Sequence, residues 1–99
     1  MITRIVKMTF MHQNIDCFKE IFYDNQKLIS AFDGCIRLEL MKDVNNECTF
    51  FTISYWQSED QLNSYRDSNL FKVTWSKVKP LFSERALAWS LRTDHLNLA

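Results

Sequence analysis

Trp56, Tyr65 and Trp75 fall inside one short window, Thr52 to Trp75, and are the side chains best suited to building a small-molecule site. Ligand pockets combine apolar and aromatic walls with a few polar groups. Trp56 ends the run Thr-Ile-Ser-Tyr-Trp, where Thr52 shares its side of a strand. Tyr65 brings a phenol that can donate a hydrogen bond, and Leu62 shares its helix face. Trp75 reads as core or as cavity wall, because a large aromatic often keeps one end in a cavity. Phe71 reads as core. Arg37 and Arg92 each read as an oxyanion stabiliser, since a guanidinium stays charged and offers several donors, or as a solvated or interface charge. Glu39 reads as a proton acceptor if burial raises its pKa, or as a salt-bridge partner. Asn25 lies at the edge of an apolar helix stripe or reaches a cavity. His12 falls in a turn and His95 in a tail, and neither is assigned chemistry.

Several classes of chemistry are not expected. A single glycine cannot make a GxGxxG or P-loop pattern, and no cofactor is implied. Cys17, Cys35 and Cys48 are odd in number and lack metal-ligand spacing. They read as reduced thiols, so a reducing cytoplasm is expected and a metal site is not. Lys plus Arg equals Asp plus Glu, 12 each, with no basic block, so nucleic acid is not an expected partner. Met-Ile-Thr-Arg-Ile-Val-Lys alternates polar and apolar residues, which suits neither a signal peptide nor a membrane span.

The elements that must position the aromatics follow from periodicity. Ile2 to Phe10 alternates as a strand, with Ile2, Val6, Met8 and Phe10 on one face and Arg4 interrupting it. Asn14 is an expected helix N-cap, with Asp16 suited to the first turn. Ile15, Phe18, Ile21, Phe22, Leu28, Ile29 and Phe32 then make a helical stripe, ended by Gly34 in the left-handed conformation. Ile36, Leu38 and Leu40 alternate with Cys35, Arg37, Glu39 and Met41 as a second strand. The turn Asp43 to Glu47 joins it to a third strand, with Phe50, Thr52, Ser54 and Trp56 on one face and Phe51, Ile53 and Tyr55 on the other. Ser58 and Gln61 form a capping box, and Ser68 recaps the chain. A second stripe, Phe71, Trp75, Val78 and Phe82, runs to about Pro80. Ala86 to Arg92 is a last strand.

That order is the split strand–helix–strand repeat of ferredoxin-like α+β folds, βαββαβ, with its second helix divided in two. The 99 residues make one domain, 1–93, followed by a tail, 94–99. Helices cover one sheet face. The other face is also apolar, and a partner sheet is its simplest cover.

Ser-Tyr-Trp-Gln-Ser-Glu-Asp-Gln-Leu, residues 54–62, and Tyr-Arg-Asp-Ser-Asn-Leu-Phe, residues 65–71, resemble the strand-to-helix signature of the antibiotic biosynthesis monooxygenase domain. Phe32-Asp33-Gly34-Cys35 resembles that family's helix exit before strand two. The resemblance spans roughly Met1 to Arg92. It implies a homodimer whose sheets pack into an α+β barrel, with a pocket between sheet and helices in each subunit. It further implies cofactor-independent oxygenation of a small aromatic, quinol or polyphenol. Fold alone does not fix activity, so a non-catalytic ligand-binding or dimerisation module is the rival.

Haem binding with lost ligands is a third reading. Haem-degrading members carry an Asn on strand one, a Trp on the helix after strand three and an axial His on the next helix. Strand one here has no Asn, and Tyr65 and Trp75 stand at the other two positions. An indole N–H cannot ligate iron. Polyphenol-oxidising members use an Asn, Trp, Tyr and Arg group. Trp56 matches the Trp, while Thr52 and Leu62 fall at the Asn and Tyr positions. The expected substrate-binding set is therefore Thr52, Trp56, Leu62, Tyr65 and Trp75. The catalytic candidates are Trp56, Tyr65, Arg37 and Arg92.

Overall fold

Alternating patterns at the two ends of the chain pair side by side in one sheet. The computed structural model describes residues 1–97; Leu98 and Ala99, the end of the expected tail, lie outside the described residues. Strands β1 (Ile2–Thr9), β2 (Cys35–Lys42), β3 (Thr49–Trp56) and β4 (Leu87–Leu91) form an antiparallel sheet of order β2-β3-β1-β4. Helices α1 (Ile15–Ser30), α2 (Glu59–Arg66) and α3 (Asn69–Val78) supply the connections. The fold is α+β and ferredoxin-like, with its second helix split at Ser68.

Local chemistry explains the boundaries. Asp43 and Asn46 side chains accept from the N–H groups of Asn45 and Cys48, at 2.8 and 3.0 Å, and tighten the β2–β3 connection. Ser58 Oγ accepts from the Gln61 N–H at 3.2 Å and starts α2. Ser68 Oγ accepts from the Phe71 N–H at 3.2 Å and starts α3. Gly34 has φ 90° and carries β2 out of the turn after α1. A Cβ there would stand 2.5 Å from the Gln61 side chain, so this glycine also lets the turn press against α2.

Three local expectations are corrected. Asn14 occupies the N-cap position of α1 but makes no cap bond; a 3₁₀ turn, His12–Asn14, precedes the helix, and the Asn14 amide donates to the Leu81 carbonyl at 3.3 Å. Helix α1 stops at Ser30, short of Phe32, and Ala31 to Gly34 form the turn. In β2 the register slips between Cys35 and Arg37. The extra residue, Ile36, is 53% exposed, and Cys35 swings onto the helix side opposite Trp56.

The register sorts the sheet into two faces. Beneath the helices lie Ile2, Arg4, Val6 and Met8 of β1, Phe50, Thr52, Ser54 and Trp56 of β3, and Leu38 and Leu40 of β2. The buried residues there form two clusters. One joins Met8, Phe10, Phe18, Phe22, Phe50 and Val78. The other joins Ile2, Trp56 and Leu62, with Phe32, Cys35 and Tyr65 packed on it. The opposite face carries cross-strand rows Met41–Phe51–Lys7–Leu87, Glu39–Ile53–Ile5–Trp89 and Arg37–Tyr55–Thr3–Leu91, with no helix over them among the described residues. Strand β4 is exposed along its whole length. Among the described residues, no helix is long and apolar enough to cross a membrane.

Candidate active site

The sequence puts short or polar side chains between the two apolar clusters, and a space opens there. Thr52 and Ser54 of β3 and Ala88 of β4 are too small to fill the gap that Met8 and Phe50 fill further along the sheet. A cavity of about 330 Å³ results, roofed by α1, α2 and α3 and floored by the sheet. Its apolar walls include Phe18, Phe22 and Ile29 from α1, Leu62 from α2, and Phe71, Trp75 and Val78 from α3. Its polar groups are Arg4, Thr52, Ser54, Tyr65, Arg66 and Thr74.

Four of the expected substrate-binding residues line this cavity: Thr52, Leu62, Tyr65 and Trp75. Tyr65 stacks on Trp56 with ring centroids 5.0 Å apart and meets the edges of Phe32 and Phe71 at 5.4 and 5.3 Å. Those contacts hold its ring in one orientation. Burial, and then the neighbouring Cys35, push the Tyr65 phenol up to about 12. The phenol is therefore a neutral donor at ordinary pH. Burial also pushes the Cys35 thiol up, against the opposing effect of its bond to the Arg37 carbonyl. Trp75 stacks on Phe71, 6.0 Å apart and 7° from parallel. It is half-buried, and one end belongs to the cavity wall.

The structure moves three expected residues away from the cavity. Trp56 is 0% exposed and lies behind Tyr65. Its indole N–H donates to Ser54 Oγ at 2.9 Å, so even its polar atom is spent internally. Arg37 points from the helix-free face, paired with Glu39 at 2.7 Å, because strand alternation sets it opposite Leu38. Glu39 shares that face and partner. Arg92 lies just beyond β4, exposed and 3.7 Å from Glu59. Asn25 bonds back to the Ile21 carbonyl at 2.8 Å within α1 and is not part of the lining.

Arg4 and Arg66 are the arginines at the cavity, and neither was among the expected site residues. The signal for Arg4 was present: it is the cation that breaks the apolar face of β1. Its Nη1 donates to Ser90 Oγ on β4 at 2.9 Å. Its pKa is lowered by burial first and by the Arg66 charge second. Arg66 ends α2, where a cation suits the helix dipole. Its place at a cavity could not be read without the tertiary fold.

The family model for antibiotic biosynthesis monooxygenase matches residues 1–75. The chain belongs to this family. Antibiotic biosynthesis monooxygenase relatives share its fold at low identity. A protein from Nitrosomonas europaea named for this activity superposes with a TM-score of 0.87 at 13% identity, covering 96% of this chain and 100% of its own. Rv0793 from Mycobacterium tuberculosis gives 0.86 at 15%, covering 99% and 97%. A conserved protein from Methanosarcina mazei Go1 gives 0.88 at 16%, covering 94% and 93%. At these identities the likeness concerns the fold. No curated protein matches the chain by sequence.

Proposed function

We propose that the chain is a cofactor-independent monooxygenase of a small electron-rich aromatic, such as a quinol or polyphenol. The observation that carries this reading is the aromatic-walled cavity between sheet and helices, with a neutral phenol and two guanidinium groups at it. A volume near 330 Å³ lies at the small end of ligand pockets and suits one ring with substituents. In such a reaction the substrate supplies all the electrons. A hydroquinone plus one O₂ gives a hydroxyquinone plus water: one oxygen atom enters the ring, and the other leaves with two substrate hydrogens. The protein's part is to hold the ring, favour its anion and keep water out. Leu62, Phe71 and Trp75 exclude water, Tyr65 donates to a substrate oxygen, and the arginines favour the anion.

Oxygen consumption tests this. Dihydroxyaromatics should drive oxygen uptake by the purified protein without added flavin and in the presence of chelators. The rate should rise with pH as the substrate hydroxyl ionises, towards about 10 for an ordinary phenol. A specific observation favours the module reading as the second choice: among the described residues no His, Asp or Glu lines the cavity, so none of them faces the substrate as an ordinary general base. Protein that binds these quinols yet leaves their air-oxidation rate unchanged is such a module.

The same reading includes a homodimer in the cytoplasm. Support for the dimer is the helix-free sheet face, where Trp89 is 43% exposed beside Ile5 and Ile53. A contiguous apolar face of this kind is uncommon on a monomer. Light scattering at micromolar protein should give twice the chain mass, and a monomer mass there refutes the dimer. Three free cysteines, Cys17, Cys35 and Cys48, suit a reducing compartment.

A further inference from the structure

We propose that the cavity selects an aromatic acid, with a permanent carboxylate on the substrate ring received between Arg4 and Arg66. The inference rests on the cavity being the ligand site described above, and it does not depend on turnover.

A sheet face packed beneath helices rarely holds an arginine without a partner. Arg4 points to the helix side of β1, on the face of Ile2, Val6 and Met8. Its neighbours in register are Ser54 on β3 and Ser90 on β4. It is therefore flanked by hydroxyls rather than carboxylates. The bond to Ser90 uses one guanidinium N–H, and a guanidinium has five. Arg37 and Arg92, by contrast, each face a carboxylate, Glu39 and Glu59. Among the described residues neither Arg4 nor Arg66 has one within ion-pair distance.

Two like charges at one cavity repel each other, and partial burial strengthens the repulsion. Bound ligand charge of the opposite sign relieves it. Arg66 is exposed and Arg4 half-buried, so the pair marks a side where the cavity meets solvent. An acid group seated there leaves the ring to lie inward against Leu62, Tyr65 and Trp75. The group that compensates the pair must be ionised at neutral pH. A phenol with an ordinary pKa near 10 is not, while a carboxylic acid is. The planar guanidinium fork also matches a carboxylate in two parallel bonds. A merely structural Arg4, tying β1 to β4 through Ser90, would leave Arg66 without a role at the cavity.

The test compares 3,4-dihydroxybenzoate with its neutral amide, 3,4-dihydroxybenzamide, by calorimetric titration in low salt. The acid should bind at least about tenfold more tightly, as expected for charge-assisted hydrogen bonds. Arg66→Gln should remove most of that preference. Arg66 is exposed, so this variant should fold; Arg4→Gln is the second, and thermal unfolding checks that it does. Added salt should weaken the acid and not the amide. Equal binding of acid and amide, a preference that survives both substitutions, or binding of neither compound overturns the proposal. Oxygen uptake, read separately, keeps the two questions apart. Selective acid binding without uptake removes the oxygenase reading alone. Uptake with neutral quinols and no acid preference removes this one alone.

Discussion

Trp56→Ala is expected to lower unfolding stability by roughly 3–5 kcal/mol, the range for deleting a buried large aromatic. The indole is 0% exposed and packs with Ile2 and Leu62 in the smaller of the two core clusters. It stacks under Tyr65 and meets Phe32 edge-on at 6.3 Å. Removing it leaves a hole beneath the cavity wall and strips the Ser54 hydroxyl of its donor. Trp56→Phe keeps most of the volume and loses the N–H, so its cost should be smaller, about 1–2 kcal/mol. Urea unfolding of both variants at pH 7 checks the order. A Trp56→Ala midpoint close to the parent's contradicts full burial. Because Tyr65 rests on this ring, the alanine variant should also weaken ligand binding, although Trp56 itself does not line the cavity.

Most of the architecture was legible because local rules agreed with one another. The alternation in β1 and β3, the Ser58–Gln61 box and the Ser68 recap all specify boundaries within a few residues of one element. Where they failed, a longer-range cause is visible. A β-bulge at Ile36 is not written in an alternating run, yet it decides which face Cys35 takes. Asn14 has a cap-forming side chain, but the Leu81 carbonyl, distant in sequence, captures it instead.

The site was legible in a narrower sense. Tyr65, Leu62 and Trp75 follow from helix periodicity plus the expectation that large aromatics gather at a cavity. Trp56 follows the same logic and yet sits behind the wall, since strand alternation gives a face and not a depth. For Arg37, alternation had already set it opposite Leu38, on the face without helices. Arg4 is the instructive residue: an interruption in an otherwise apolar face is a departure from consistent patterning, and such departures concentrate at functional sites. The cavity itself exists because Thr52 and Ala88 are small on either side of Val6, with Ser54 in the next row, a property of paired strands that no single strand reveals.

Tyr65→Phe should reduce turnover by about 100-fold, the scale for removing one preorganised donor to a developing oxyanion. Its contacts with Trp56, Phe32 and Phe71 involve the ring, which phenylalanine retains. Only the hydroxyl is lost, so substrate affinity should change less than kcat. Since burial pushes the phenol up to about 12, it keeps its proton at working pH and does not act as the base. The rise of rate with pH should therefore keep its midpoint in the variant, because that midpoint belongs to the substrate. A rising limb that disappears with Tyr65 would assign the proton transfer to the phenol instead. The same shift makes a second, independent readout. An unfolded tyrosine ionises near 10, whereas this one holds its proton to about 12. Above pH 10 the unfolded chain releases that proton first, which favours unfolding. The stabilisation is present in full below pH 10 and lost as pH rises to about 12. Urea midpoints measured at pH 9 and 11 should fall less for Tyr65→Phe than for the parent. Equal losses in the two proteins mean that the phenol is solvated, and then it cannot be the oriented donor that the cavity requires.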